Sequence, residues 1–280
     1  MRNKIIPVLI TMMVAALLLS GCNNADRNVL INEKNISAFD SVSVTTSSAM
    51  IEFVASDRYG LEIFVPERLG PEWDVTNGRL TITAKPRGIF SVPGITILKS
   101  YVKVYYPEGA VFHDISLKSS SGRIELPQVE VSDLDVHTSS GKIDASVGNC
   151  DAISATTSSG SVTLACSGDL AAALNVETSS GSIRADGVAW RDVRTRTSSG
   201  ATKISGELLG NTDVKTSSGS VKLSVCSDPS RYGYSLTPSS GSIHWDGVRM
   251  GKPARSSGSF ENDIVVDTSS GSIRVEFYKP

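Results

Sequence analysis

Thr157-Ser158-Ser159-Gly160-Ser161-Val162-Thr163-Leu164 is one copy of a pattern that runs through most of a 280-residue chain. Ser-Ser-Gly recurs with its glycine at 122, 141, 160, 181, 200, 219, 241 and 271, and a weaker copy ends at Gly258. Successive spacings among the eight strong copies are 19, 19, 21, 19, 19, 22 and 30 residues. A short, nearly fixed period marks a solenoid, in which each unit buries its apolar face only against its neighbours.

Side chains around each glycine obey one rule. Seven residues before it stand Ile115, Leu134, Ile153, Leu174, Val193, Thr212, Tyr234 and Ile264, and the position five before is also mostly apolar. Two after it stand Ile124, Ile143, Val162, Ile183, Thr202, Val221, Ile243 and Ile273. Alternation at period two means strands with one buried face. The phase slips by one residue across Ser-Ser-Gly, which would turn the apolar face outward in a straight strand. The chain therefore bends there, and the expectation is that glycine supplies backbone angles closed to other residues. Each repeat reads as strand, corner, second strand and a looser return such as Asp186-Gly187. The fold expected is all-β, a single-domain parallel β-solenoid (β-helix), right-handed or irregular, with strands stacked about 4.8 Å apart.

Outside the regular repeats of 116–280, residues 29–115 read as degenerate coils of the same domain. Thr46-Ser47-Ser48-Ala49-Met50-Ile51 keeps the motif with alanine for glycine, and Asn77-Gly78 marks a tight corner. Tyr101, Tyr105 and Tyr106 are expected to cap the N-terminal end against edge pairing, with Phe277 and Tyr278 doing the same at the other end. Upstream, Arg2 and Lys4 precede an apolar run from Ile5 to Leu19, too short for a membrane span of roughly 20 residues and typical of a secretory leader, 1–21. That leader ends in Leu19-Ser20-Gly21-Cys22, which resembles the bacterial lipobox. The resemblance implies lipidation at Cys22, a polar tether over 22–28, and an extracytoplasmic location anchored to the cell membrane, or to an outer membrane in an organism that has one.

The 27 Lys+Arg and 29 Asp+Glu give a formal charge of −2, which excludes a generic nucleic-acid binder. No nucleophile-elbow, phosphate-loop or metal-ligand spacing appears, and no cofactor is implied. Glu125 and Asp144 share one position on adjacent repeats, but Arg123 and Lys142 beside them make a solvated ion network the better reading than a catalytic pair. The chain reads as non-catalytic. Cys150 and Cys166 fall at similar places on adjacent repeats and could pair, whereas Cys226 lies too far along. Stacked Ser-Ser hydroxyls are expected to bond one another and nearby backbone; the sharper reading is a hydroxyl array for sugars. Three after each glycine the residues turn basic in the later repeats, at Arg184, Lys203, Lys222 and His244, and Arg196 with Lys215 adds a second short basic run. These six residues are the candidate ligand-binding column, for an anionic envelope polymer, glycan or surface protein.

The serial Thr-Ser-Ser-Gly-x-Ile copies, the Gly78-Arg79-Leu80-Thr81-Ile82 strand and the Val104-Tyr105-Tyr106-Pro107 strand end are similar to the bacterial putative-adhesin family, a β-strand-repeat domain found on lipoproteins. That resemblance covers nearly the whole mature chain and carries no active site. Two functions follow as expectations: a surface protein that binds envelope or host polymers along a rigid face, or a structural or envelope-stress component partnered by a protein or the membrane. A polysaccharide-active enzyme ranks third.

Overall fold

The computed structural model describes residues 27–86, 100–169 and 172–279. The leader, the lipobox and Cys22 lie outside these residues. The described chain is all-β, with 22 strands in one hydrogen-bonded sheet and two short 3-10 turns. No helix among the described residues is long and apolar enough to cross a membrane.

Two parallel ladders carry the repeat. Strands that follow the glycines register Ile124 on Ile143, Ile143 on Val162, Val162 on Ile183, Ile183 on Thr202 and Thr202 on Val221. Strands that precede them register Leu134 on Ile153 and Ile153 on Leu174, then Val176 on Thr195 and Thr195 on Val214. Equivalent positions therefore lie one above the next, and the alternating residues named from the sequence form a single buried core. Trp190 is fully buried in this core, its Nε1 donates to the Ser205 carbonyl at 2.9 Å, and Gly187 leaves room for its ring.

The corner is held by the threonine before Ser-Ser-Gly rather than by the serines. Gly181 N–H donates to Thr178 Oγ1 at 3.0 Å, and that hydroxyl donates to the carbonyl of Gly160 in the preceding repeat at 3.3 Å. The same pair of bonds recurs at Thr197, which bridges Gly200 and Gly181. Both serine amides of a corner share one carbonyl below, as Ser158 and Ser159 do with Ser139 at 3.1 and 3.0 Å. The serine side chains at these corners are exposed. At the Gly241 corner Ser240 Oγ does donate to the Ser269 carbonyl at 3.2 Å, as expected of stacked serines; at the Gly181 and Gly200 corners the buried threonines make the bonds instead.

Glycine is required for a different reason from the one expected. Among the strong corners only Gly241 has a left-handed φ, of 109°. At the others the corners stack so closely that a Cβ on Gly160, Gly181 or Gly200 would sit 1.7 Å from the carbonyl oxygen of the glycine below. Close approach, not backbone angle, excludes other residues.

Spatial order departs from chain order at both ends. Strand Asn262–Ser270 pairs with Thr202–Thr216 on one side and with Tyr232–Ser240 on the other. Likewise Ile273–Tyr278 separates Val221–Cys226 from Ile243–Trp245. The Gly271 repeat is thus inserted between the Gly219 and Gly241 repeats. At the other end Ser41–Thr46 lies between Arg79–Ala84 and Val111–Ser119, and Met50–Ser56 pairs with both Tyr101–Pro107 and Ile124–Thr138. Antiparallel strands then cover the outermost repeats: Gly60–Pro66 and Glu72–Thr76 at one end, Val248–Met250 and Ala254–Arg255 at the other. These antiparallel strands blunt edges that would otherwise template aggregation. Phe277 is therefore not an end cap; it lies one repeat in and packs against Tyr232 and Trp245, ring centroids 5.4 and 5.0 Å away.

Candidate functional site

The six basic residues picked from the sequence divide between two faces. On the post-glycine face, Arg184, Lys203, Lys222, Arg274 and His244 register in that order, so Arg274 stands between Lys222 and His244. Most of this column is neutralised on the spot. Arg184 pairs with Asp186 at 2.5 Å and Lys222 with Glu276 at 2.7 Å, and Arg274 reaches the same Glu276 at 3.5 Å. The hydrogen bond from Lys222, then the nearby charges, hold the Glu276 carboxyl below the usual range. His244 Nδ1 lies 3.4 Å from Ser242 Oγ. Lys203 is exposed and has no ion-pair partner among the described residues. The acidic early half of this face behaves as the sequence suggested, with Arg123 on Glu125 at 2.9 Å and Lys142 on Asp144 at 2.6 Å.

Arg196 and Lys215 lie on the other face, in a shallow groove of about 500 Å³. Along its floor the register reads Thr156, Glu177, Arg196, Lys215, Asp267 and Thr237. Two cations at the centre are flanked by one acid on each side and one threonine beyond each acid. Exposed corner serines, among them Ser158, Ser179, Ser198 and Ser217, form its wall. Arg196 and Lys215 share the single carboxylate of Asp213, at 3.5 and 3.7 Å, distances too long for either cation to be saturated. The other oxygen of Asp213 is buried and has no partner.

Sequence reading found the two cations but not the groove. Asp267 follows Lys215 only because the Gly271 repeat is inserted there, and nothing in the linear pattern announces that insertion.

A second hollow of about 500 Å³ on this face is acidic, with Asp114, Asp133 and Asp135 along it. Asp114 is held by Arg79 at 2.5 Å and Asp135 by Lys118 at 3.7 Å. A third, of about 540 Å³ at the capped end, includes Glu62, which accepts from Tyr101 at 2.5 Å and Tyr105 at 3.3 Å. The hydrogen bond to Glu62, with burial, pushes the Tyr101 phenol up to about 12. Among the described residues no group of three or more His, Cys, Asp and Glu is placed to hold a metal ion.

Cys150 and Cys166 are free, buried thiols, so the disulfide suggested by their spacing is not formed. Each instead has backbone acceptors within reach of its one S–H, Cys150 the Ser132 or the Ala152 carbonyl and Cys166 that of Gly148, all at 3.3 Å. Burial pushes the Cys150 thiol up to about 12.

Residues 39–276 match the family described as Toastrack DUF4097. Among solved structures, a protein described as a putative adhesin from Bacteroides fragilis is 15% identical with a TM-score of 0.54, covering 90% of this chain and 98% of its own. A putative lipid binding protein from Parabacteroides distasonis is 19% identical with a TM-score of 0.43, covering 89% and 97%. A putative adhesin from the same organism is 13% identical with a TM-score of 0.44, covering 91% and 98%. No curated protein matches the chain.

Proposed function

We propose that this chain, which belongs to the Toastrack DUF4097 family, is a non-catalytic surface protein that binds envelope or host polymers along one face of a right-handed β-solenoid. The observation that carries the reading is the groove over six registered repeats, with exposed hydroxyls along its wall and two under-neutralised cations at its centre. An extended groove open along its length suits a polymer, whereas small-molecule sites are concave and mostly apolar. Resemblance to proteins described as putative adhesins points the same way. In this reading Cys22 carries the lipid that holds the protein at the membrane surface, and two acyl chains make that anchorage stable.

Retention assays test it. A form beginning at Arg27 is offered cell-wall polymer, anionic lipid vesicles and envelope extract. The reading expects retention on polymer that weakens with salt. Retention on vesicles alone, or on no polymer at any ionic strength, contradicts it.

A further inference from the structure

Resting on the polymer-binding reading, the groove's charge order points to one ligand class: we propose that it binds an acidic sugar flanked by neutral sugars within an oligosaccharide. Successive repeats lie about 4.8 Å apart, and a pyranose advances along its chain by a similar distance. An acidic sugar seated midway between Arg196 and Lys215 therefore reaches both cations, and its two neighbours fall beside Glu177 and Asp267. Arg196 offers a planar fork suited to a carboxylate, and Lys215 in the next repeat adds a second cation. Because both share Asp213 at 3.5 Å or more, each retains donors for a ligand.

Glu177 and Asp267 make the selection. A carboxylate only accepts hydrogen bonds, so each takes hydroxyls from a neutral sugar. Each repels a second acidic sugar placed over it. Repulsive groups beside an attractive centre discriminate between partners better than attraction alone. The exposed corner serines both donate and accept, which suits the remaining sugar hydroxyls. A chain charged at every residue, such as a homopolymer of uronic acid or a polyphosphate, would meet Glu177 or Asp267 wherever its central charge meets Arg196.

The test uses the full chain purified in detergent and three trisaccharides, with binding read by calorimetry. N-acetylglucosamine–glucuronate–N-acetylglucosamine is the expected ligand; trigalacturonate is charged throughout and chitotriose is neutral. The first should bind best. Arg196→Gln with Lys215→Gln should weaken it about tenfold, the scale of one charge-assisted hydrogen bond. Lys203→Gln, on the other face, should leave it unchanged. Glu177→Gln with Asp267→Asn should bring trigalacturonate up toward the mixed trisaccharide. Equal binding of chitotriose, or trigalacturonate binding best to the wild type, overturns the inference. Absence of binding to all three also overturns it. None of these results bears on retention by whole envelope polymer, whose loss is what would remove the underlying reading.

Discussion

The carbonyl oxygen of Gly141 occupies the space that a Cβ on Gly160 would need. The corners stack through this contact, so a side chain at Gly160 forces two repeats apart or rotates the corner. Gly160→Ala should lower stability by at least about 1–3 kcal/mol, the usual cost of overpacking a filled site. Urea denaturation checks it; a variant as stable as the wild type would show that the corners do not stack this closely.

Buried threonines divide into two kinds with opposite predicted effects. Thr178 bridges Gly181 N–H and the Gly160 carbonyl, so Thr178→Val should cost about 1–3 kcal/mol by leaving a buried donor unpaired. Thr195, Thr202 and Thr212 are buried where other repeats carry aliphatic residues, and their hydroxyls have no partner. Thr202→Val should therefore stabilise by about 1 kcal/mol. Melting temperatures that move the same way in both variants would contradict the distinction.

Insertion of the Gly271 repeat is open to cross-linking. Lys222 and Arg274 are direct partners, and His244 lies one strand beyond. Lys222→Cys with Arg274→Cys should oxidise to a disulfide, since neighbouring strands lie about 4.8 Å apart and Cα separations near 5.5 Å suit the bond. Lys222→Cys with His244→Cys should remain reduced. The reverse pattern would mean that the repeats stack in chain order.

Thiol chemistry reports on burial. The folded state favours protonated Cys150, whose pKa rises from 9.0 to about 12. Its contribution to stability is complete below pH 9 and is lost progressively as pH climbs toward 12. At pH 8 an alkylating reagent should modify Cys226, the most accessible of the three, and spare Cys150 and Cys166 until the protein unfolds. Rapid native labelling of Cys150 would contradict its placement.

Much of this architecture is legible in the sequence because alternation is a local signal. Val162 and Leu164, or Ile153 and Ala155, declare their buried face without reference to any other repeat. Stacking order is not local. The Gly241 and Gly271 repeats both present an apolar pair two and four residues past the glycine, so either satisfies the neighbour it packs on. The groove inherits that ambiguity, since its symmetry depends on Asp267 rather than Thr237 lying beside Lys215. The role of glycine was also hidden, because a backbone contact between repeats leaves the same sequence trace as a special φ.

Binding at the face that carries Arg196 and Lys215, as proposed, is decided by retention on isolated envelope polymer at low and high salt, comparing wild type with charge reversals on each face. Arg196→Glu with Lys215→Glu should abolish the salt-sensitive retention. Arg184→Glu, Lys203→Glu and Lys222→Glu together should reduce it only modestly, through the long-range field. Loss of retention in the triple variant, with the double variant unaffected, would place the site on the opposite face and contradict the account.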